Sequence, residues 1–471
     1  MELGSGRTAA ETSRNADHLC VLVHGLWGNS SHLDYVTSSL RDRYSEDRLH
    51  ILAAKRNSGN FTYDGIEVGG ERVAHEVEEA LEELATAGHH ITKLSMVGYS
   101  LGGLVARYAL GLLYARGWLD KLEPVNFTTF VSPHVGVRHP LKGTWGFLWN
   151  NVGPHTISIS GKQMFMIDSF RDSGKPLLSV LADQDSIFIK ALKKFKHRTV
   201  YANVVNDRST IYYTTAISPI NPFHDPEDVH INYVKGYEPV VIDPDMHIIP
   251  SEKKHTKPLP LLSQAQQQLT SVLTNVPFQL LFTTILFVGF PIFLINSAIQ
   301  TFRSQRRIRL HEEGTLGSVF GRYRVPVMVQ GVQHAIEEAF EHAATRQDPD
   351  YLSMDMNESK EKPKQATSSR KGRTTAESKS NALVRDASPD SASEPLLSGE
   401  DSETQEFPTL ALTPAQFSII ESLNSVGFRK HPVYIHNHRH SHAAIIVRTP
   451  KPSFDEGKVV IKHWLDQVFE I

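Results

Sequence analysis

The residues whose types and spacing could do chemistry lie in the pattern GYSLG at 98–102, with Ser100 at its centre. A G-x-S-x-G pattern is typical of a sharp strand-to-helix turn that holds a serine hydroxyl out as a nucleophile, with glycine needed where strand and helix crowd. Because such a short pattern also arises by chance, the flanking sequence must supply both elements. Alternating apolar residues at 91–97 predict the strand, and helical apolar spacing over 104–112 predicts the helix. An inactive relative that kept only the turn is the alternative.

Two backbone amides are the candidates for stabilising the oxyanion that a serine nucleophile would create. A short apolar strand at 18–23 ends in HGLWG at 24–28. In enzymes with a nucleophile elbow, one donor is the amide after the serine and another lies in the loop after an early strand. We therefore predict the amides of Leu26 and Leu101 as the oxyanion hole.

Three residues near these loops are candidates for lining a pocket. His24 precedes the serine and adjoins a glycine, so loop architecture is favoured for it over a role as catalytic base. Tyr99 adjoins the serine. His134 follows a predicted strand at 127–131, on the ligand side of an open α/β sheet, where a structural role is at least as well supported.

A carboxylate and a histidine are needed to activate the serine. Asp207 directly follows a predicted strand at 198–205, where an orienting acid is expected, although a surface turn is the alternative. Asp64 is a weaker candidate, because it precedes a predicted helix at 73–84 where helix capping or a loop role is ordinary. Alternating histidines at 436–442 lack the partners of a zinc site, so one catalytic histidine is favoured and no metal or cofactor is predicted.

Length and composition limit the classes of protein. The chain has 471 residues, a net charge of −3 and one cysteine, Cys20. No basic stripe interleaved with aromatics is present, which argues against nucleic acid as a partner. A single cysteine excludes an intrachain disulfide and agrees with a reducing compartment. Residues 1–16 lack the apolar run of a secretory signal, so a cytosolic start is expected.

The stretch at 276–299 contains no charged residue and has the length of a membrane segment. Basic residues follow it and favour the cytosolic face: Arg303, Arg306, Arg307 and Arg309. The serine and aspartate precede this stretch and the histidines follow it, so one full crossing would separate them. We predict a hairpin or in-plane helix bent near Gly289 and Pro291, with a buried core helix as the alternative.

The remaining composition predicts the organisation of the chain. An aromatic stretch at 143–152 is either a lid, an acyl-chain surface or a satellite core. The segment 353–408 is too polar to fold, so we consider it a candidate for binding an unidentified partner. The predicted domains are a tail (1–16), a core with nucleophile and acid (17–255), an anchoring segment (256–302), an amphipathic connector (303–352), a disordered insertion (353–408) and the remaining core (409–471).

Taken together, the motifs resemble the serine esterase and lipase family of α/β-hydrolases that includes fungal lipid-droplet phospholipases. The matching stretches are VLVHGLWG at 21–28, YDGIEVGGERVAHEV at 63–77, VGYSLGGLVARYALG at 97–111, SPHVGVR at 132–138, YANVVND at 201–207 and HAAIIVR at 442–448. The resemblance implies an α/β-hydrolase with a mostly parallel sheet, with Ser100 as nucleophile, Asp207 as acid and His442 as base. His440 is the next candidate for the base, and Tyr99 stands where relatives often have histidine.

The expected activity is hydrolysis of acyl esters in a glycerophospholipid or another lipid, on a lipid droplet or endoplasmic reticulum membrane with the catalytic domain facing the cytosol. The alternatives are a protein deacylase or thioesterase with the same triad, and a membrane-bound scaffold that keeps the fold without the activity.

Overall fold

A computed structural model describes most of the hydrolase-like sequence. The described residues are 16–140, 143–156, 158–207, 209–224, 229–246, 249–250, 290–312, 350–351, 407–438 and 440–471. The predicted tail, most of the anchoring segment, most of the connector and nearly all of the predicted insertion lie outside these ranges, and so do Gly289 and residues 276–288. The domain boundaries therefore stay predictions.

The central element is a parallel sheet of six strands in the order β2-β1-β3-β4-β5-β8. A separate antiparallel pair is formed by β6 and β7. The strands are β1 (His18–Val23), β2 (His50–Ala53), β3 (Lys93–Tyr99), β4 (Glu123–Phe130), β5 (His197–Asn203), β6 (Val229–His230), β7 (Ile249–Pro250) and β8 (Arg429–Val433).

Helices connect the strands and cover the sheet. They are α1 (Asp34–Arg43), α2 (Ile66–Thr86), α3 (Leu101–Ala115), α4 (Trp118–Lys121), α5 (Gly143–Thr156), α6 (Ser158–Met164), α7 (Leu177–Leu181), α8 (Ile187–Lys194), α9 (Tyr212–Thr215), α10 (Phe290–Glu312), α11 (Pro414–Val426), α12 (Ser441–Ala444) and α13 (Asp455–Gln467). Short 3-10 segments occur at Ser30–Leu33, Gly59–Asp64, Arg171–Ser173 and Pro452–Phe454.

The inner strands β1, β3, β4 and β5 are buried on both faces over most of their length, as a parallel sheet requires. In β1, Leu19 and Val21 pack into one apolar cluster with α2, α3, α8 and α11, whereas Cys20 and Leu22 pack into another with α1 and α13. Alternate side chains of a strand point to opposite faces, so one short strand contributes to both cores. The result is the mostly parallel, helix-covered sheet expected from the sequence.

The long helix α2 begins earlier than predicted. The sequence predicts a helix only over 73–84, because Gly69 and Gly70 disfavour a helix interior. A Cβ atom at Gly70 would lie 2.6 Å from a ring carbon of Tyr108 on α3. Glycine here lets two helices approach closely, and that tertiary gain exceeds the local propensity cost of roughly 1 kcal/mol.

Short elements lead from α5 to β5. These are α6, a 3-10 turn, α7 and α8, with Gly174 at φ 65° and Pro176 directly before α7. The last strand of the sheet, β8, pairs with β5 as far as Val433. Helix α13 starts at Asp455 and packs near the end of the chain.

Helix α10 contains the last part of the predicted anchoring segment. It begins at Phe290, and Pro291 is its second residue, where a proline is tolerated. None of the helices in the ranges described above has the length and apolar character needed to cross a membrane.

Candidate active site

The nucleophile candidate lies at the tip of the turn between β3 and α3. Ser100 has φ 53° and ψ −127°, a backbone conformation that L-residues rarely adopt. Close packing enforces this turn, because a Cβ atom at Gly98 would lie 2.4 Å from the Cα of Gly103 and one at Gly102 would lie 2.2 Å from the carbonyl oxygen of Val23. Both glycines of the sequence pattern are thus needed for the approach of strand and helix.

The histidine candidate reaches the serine from far along the chain. Residues 441–444 form the short helix α12, and the Nε2 atom of His442 lies 2.9 Å from the Oγ atom of Ser100. The side chain of Tyr99 fixes this segment, since its hydroxyl donates to the backbone carbonyl of His442 at 3.1 Å. Tyr99 is only 2% exposed, so it supports the histidine from inside the fold.

The carboxylate candidate lies on the other side of the imidazole. The Oδ2 atom of Asp207 is 2.9 Å from the Nδ1 atom of His442, which therefore carries its proton on Nδ1 and leaves Nε2 free to accept the serine proton. Burial favours a raised pKa for Asp207, but the hydrogen bond from His442, and the positive charge of that ring in its protonated form, oppose this. With the Thr210 amide and Asn203 also donating, the pKa of Asp207 lies below its ordinary value. The aspartate thus stays ionised.

Sequence reasoning missed Thr210, which contacts two members of this arrangement. Its amide donates to Oδ1 of Asp207 at 2.9 Å, and its hydroxyl oxygen lies 3.0 Å from Nδ1 of His442. The hydroxyl also donates to the carbonyl oxygen of Val131 at 3.1 Å. The position of Thr210 three residues after the candidate acid is the one signal that could have revealed it.

The loops that carry the acid and the base are joined directly. The hydroxyl of Ser441 donates to the carbonyl of Val205 at 2.8 Å, and its amide donates to the carbonyl of Asn206 at 3.3 Å. These bonds place residues before and after the apolar stretch on one rigid edge, at the carboxyl ends of the parallel strands.

The predicted oxyanion amides flank the serine. Leu101 is the first residue of α3, where an amide has no intrahelical acceptor. The loop after β1 packs directly on the elbow, because a Cβ atom at Gly25 would lie 2.9 Å from the Cβ of Ser100. Leu26 follows this contact point. The amide of Trp27 is already used by the hydroxyl of Thr62 at 3.1 Å, which fixes the loop from the opposite side.

The two histidines considered as pocket residues are enclosed. His24 is 3% exposed, and its Nδ1 donates to the carbonyl of Gly25 at 3.0 Å. His134 is fully buried, with its Nε2 2.8 Å from the hydroxyl of Thr129. Burial, together with the charge of Arg107, holds the pKa of His134 well below its usual range. Both rings belong to the framework behind the elbow, which agrees with the structural alternative for each.

The remaining histidines of the 436–442 run take different positions. His436 lies 3.1 Å from a carboxylate oxygen of Glu456, and the ring centroids of His438 and His440 are 5.4 Å apart with the rings tilted by 55°. The part of the chain that the structure describes holds no cluster of three or more metal-ligating side chains. Of the two candidates for the base, His442 is the one placed against the serine.

Asp64 does not cap helix α2, which is one of the two structural roles expected for it. Gly65 occupies the N-cap position of α2, and the amide of Ile66, the first residue of the helix, donates to Oε1 of Gln163 at 2.6 Å. The Asp64 carboxylate instead accepts from Arg72 at 2.6 Å, from Ser304 at 2.6 Å and from Arg307 at 2.5 to 3.1 Å. We call these four residues the buried ion cluster. Its two partners on α10 follow Asp64 by 240 and 243 residues, so local sequence could not reveal it.

The aromatic stretch at 143–152 forms most of helix α5. The indole of Trp149 donates to the carbonyl of Val137 at 2.9 Å and stacks on His139, so this residue anchors the helix to the loop beside it. The side chains of Trp145, Phe147 and Leu148 lie outside the described part of the chain. Whether they form a lid or an acyl-chain surface stays a prediction.

A helix-covered parallel sheet with a serine elbow, an acid and a histidine in that chain order is the architecture of an α/β-hydrolase. Residues 13–218 match the family described as "Putative serine esterase (DUF676)". This match agrees with the family that the motifs resemble. The matched region contains Ser100 and Asp207, whereas His442 lies beyond it.

The chain is similar to several curated proteins and solved structures. The chain is 30% identical over 211 residues to "Putative lipase ROG1" of Saccharomyces cerevisiae, covering 44% of this chain and 29% of that one. It is 26% identical over 251 residues to "Putative lipase YDL109C" of the same yeast, covering 48% and 37%. The chain thus spans about a third of the length of these curated relatives. A solved lipase-esterase related protein from Clostridium acetobutylicum is 16% identical with a TM-score of 0.23, covering 43% of this chain and 80% of that one.

Proposed function

We propose that this protein is a serine hydrolase that cleaves acyl ester bonds of lipids. The observation that carries the proposal is the continuous relay from the Ser100 hydroxyl through His442 to Asp207, with 2.9 Å at each of its two contacts. A serine hydroxyl is a weak nucleophile at neutral pH, and a histidine already placed to take its proton removes that limitation.

The geometry supports a two-step reaction. As Ser100 Oγ attacks the ester carbonyl carbon, its proton passes to Nε2 of His442, and the amides of Leu26 and Leu101 stabilise the oxyanion. His442 then gives this proton to the departing alcohol, leaving an acyl-serine. Water attacks the acyl group next, His442 takes the water proton, and the returning proton releases the serine together with the free acid. One oxyanion donor typically supplies about 3 to 4 kcal/mol of barrier reduction.

A lipid is the substrate class that the remaining features favour. Relatives of the chain are named as putative lipases. The uncharged stretch at 276–299 and the arginines after it suit an enzyme that works at a membrane surface. We infer a site on the lipid droplet or endoplasmic reticulum membrane with the catalytic part in the cytosol, and a glycerophospholipid or another acyl-ester lipid as substrate.

The assembled relay also supports attachment to one side of the membrane. Ser100 and Asp207 precede the uncharged stretch and His442 follows it. All three meet on one edge of the sheet, and one complete crossing between them would keep them apart. A hairpin or an in-plane helix satisfies this requirement.

The test compares the wild type with Ser100→Ala, and with Ser38→Ala on the exposed side of α1 as the matched control. We expect fluorophosphonate labelling and hydrolysis of phospholipid vesicles and short acyl esters to disappear only in Ser100→Ala. Undiminished hydrolysis by purified Ser100→Ala would reject the serine mechanism. Absence of labelling in folded wild type would support a scaffold, and turnover of acyl-thioester peptides alone would identify a deacylase.

A further inference from the structure

Helix α10 exposes three large apolar side chains to solvent and buries three polar side chains against the core. The exposed fractions of Ile295, Ile299 and Phe302 are 62%, 46% and 70%. Their spacing of four and then three residues puts them on one face of the helix. A helix on the surface of a soluble domain normally has the opposite arrangement, with its apolar face against the core.

The opposite face of α10 is held by polar contacts. Gln300, Ser304 and Arg307 are 2%, 0% and 5% exposed. Ser304 and Arg307 bind the Asp64 carboxylate of the buried ion cluster, and Arg307 also donates to the carbonyl of Asn60 at 3.1 Å. Because ion pairs and hydrogen bonds are directional, this docking fixes the rotation of the helix and keeps its apolar face outward.

The exposed face becomes basic along its length. Arg306, four residues after Phe302, and Arg309, three residues after Arg306, continue the same stripe, and Arg303 lies beside it. All three arginines are exposed. With a rise of about 1.5 Å per residue, Arg309 lies roughly 10 Å along the axis from Phe302. An apolar half followed by a cationic half is the pattern of a helix lying in the interface of an anionic membrane.

The sequence before the helix is continuous with its apolar half. Residues 276–289 contain no charged side chain, and the chain stays uncharged through residue 302. Helix α10 is therefore the place where the predicted anchoring segment joins the folded core.

From these observations we propose that the face of α10 formed by Ile295, Ile299, Phe302, Arg306 and Arg309 binds the surface of an anionic phospholipid membrane. The apolar side chains enter the interface and the guanidinium groups meet phosphate head groups. The proposal deepens the proposed lipid hydrolase function by naming its docking surface, but lipid binding can be measured without hydrolysis.

The docking surface connects to the reactive edge through one short segment. Asp64 and Asn60 in the 3-10 turn Gly59–Asp64 hold α10, and Thr62 in the same turn accepts from the amide of Trp27. Trp27 directly follows Leu26, the predicted oxyanion donor. A membrane that binds α10 would thus be fixed in position relative to the elbow by two sets of hydrogen bonds.

The experiment measures partition of the full chain, carrying Ser100→Ala so that lipid is not consumed, onto vesicles of phosphatidylcholine with and without phosphatidylserine. Phe302→Asp should weaken binding at least tenfold, since burying an aromatic side chain contributes at least that factor. Arg306→Gln combined with Arg309→Gln should lower the preference for phosphatidylserine by about fivefold for each arginine removed.

The matched control for Phe302→Asp is Ile167→Asp, because Ile167 is also exposed, at 43%. The matched control for the two arginine substitutions is Lys458→Gln combined with Lys462→Gln on α13. These should bind vesicles like the parent. Circular dichroism and urea midpoints establish that every variant folds. Unchanged partition of Phe302→Asp would overturn the proposal, and so would a change in oligomeric state without a change in partition, because the face would then bind protein. If the wild type bound vesicles but hydrolysed no ester, the proposed hydrolase activity would be rejected and the proposed docking surface would stand.

Discussion

The buried ion cluster should determine whether α10 stays attached to the core, and Arg307→Met tests this. The Arg307 side chain is 6% exposed, and its guanidinium makes three contacts with the Asp64 carboxylate and one with the Asn60 carbonyl. Methionine keeps an unbranched apolar stem with good helix propensity but removes every one of these donors. The substitution therefore isolates the polar contribution to docking.

The expected loss of docking free energy depends on the contacts that Asp64 keeps after the substitution. Removing one partner of a buried ion pair typically costs about 3 to 5 kcal/mol because the other charge stays buried. Here Asp64 retains Arg72 and Ser304, each at 2.6 Å, so we expect the lower end of that range, about 3 kcal/mol. If the helix opens locally, this energy corresponds to a roughly 100-fold loss of amide protection.

Hydrogen exchange of the full chain, read by mass spectrometry over residues 290–312, measures that loss directly. Arg306→Met is the matched control, since Arg306 is the exposed neighbour on the same helix. A double-mutant cycle with Asp64→Asn should show strong coupling, because Arg307→Met has less to remove once the carboxylate is neutral. Exchange in Arg307→Met that equals the Arg306→Met control, or additive effects in the cycle, would refute the reasoning.

Three further variants test other parts of the fold. Thr210→Val should lower kcat/KM for a short ester about tenfold by removing one hydrogen bond worth roughly 1 to 1.5 kcal/mol beside Asp207, and kinetics equal to wild type would contradict this. Gly25→Ala should reduce kcat more than tenfold, because its Cβ atom would lie 2.9 Å from that of Ser100; full activity in the alanine variant would show that the loop moves freely. His431→Phe should stabilise the protein, because neither ring nitrogen of His431 has a hydrogen-bond partner among the described residues and burial lowers its pKa to about 3. Between that value and the ordinary pKa near 6.5, the unfolded chain binds a proton that the folded chain does not, so wild-type stability falls as the pH drops. The gain in urea unfolding free energy should therefore be larger at pH 5 than at pH 8, and an equal gain at both would contradict the assigned pKa.

The local parts of the structure were predictable from the sequence. The strand, turn and helix around Ser100 depend on neighbouring residues and on two glycines two positions away, so a short pattern contains the whole signal. The place of Asp207 after a strand likewise follows from sheet geometry. The choice of His442 over His440 depended on the family resemblance, since composition alone did not distinguish among the histidines at 436–442.

The parts that were not predictable depend on distant contacts. The start of α2 was missed because two glycines that disfavour a helix are required by packing against Tyr108. The role of Asp64 was missed because its partner Arg307 follows 243 residues later. Thr210 was missed because a threonine in a turn has no distinctive pattern until its neighbours are placed.

The long separation between Ser100 and His442 has a consequence for biosynthesis. A ribosome releases the elbow, the acid and the uncharged stretch well before it reaches strand β8 and the imidazole that follows. The growing polypeptide can meet a bilayer while it still lacks its general base. In the proposed mechanism, hydrolysis requires His442, so it can begin only after the late segment has joined the edge of the sheet.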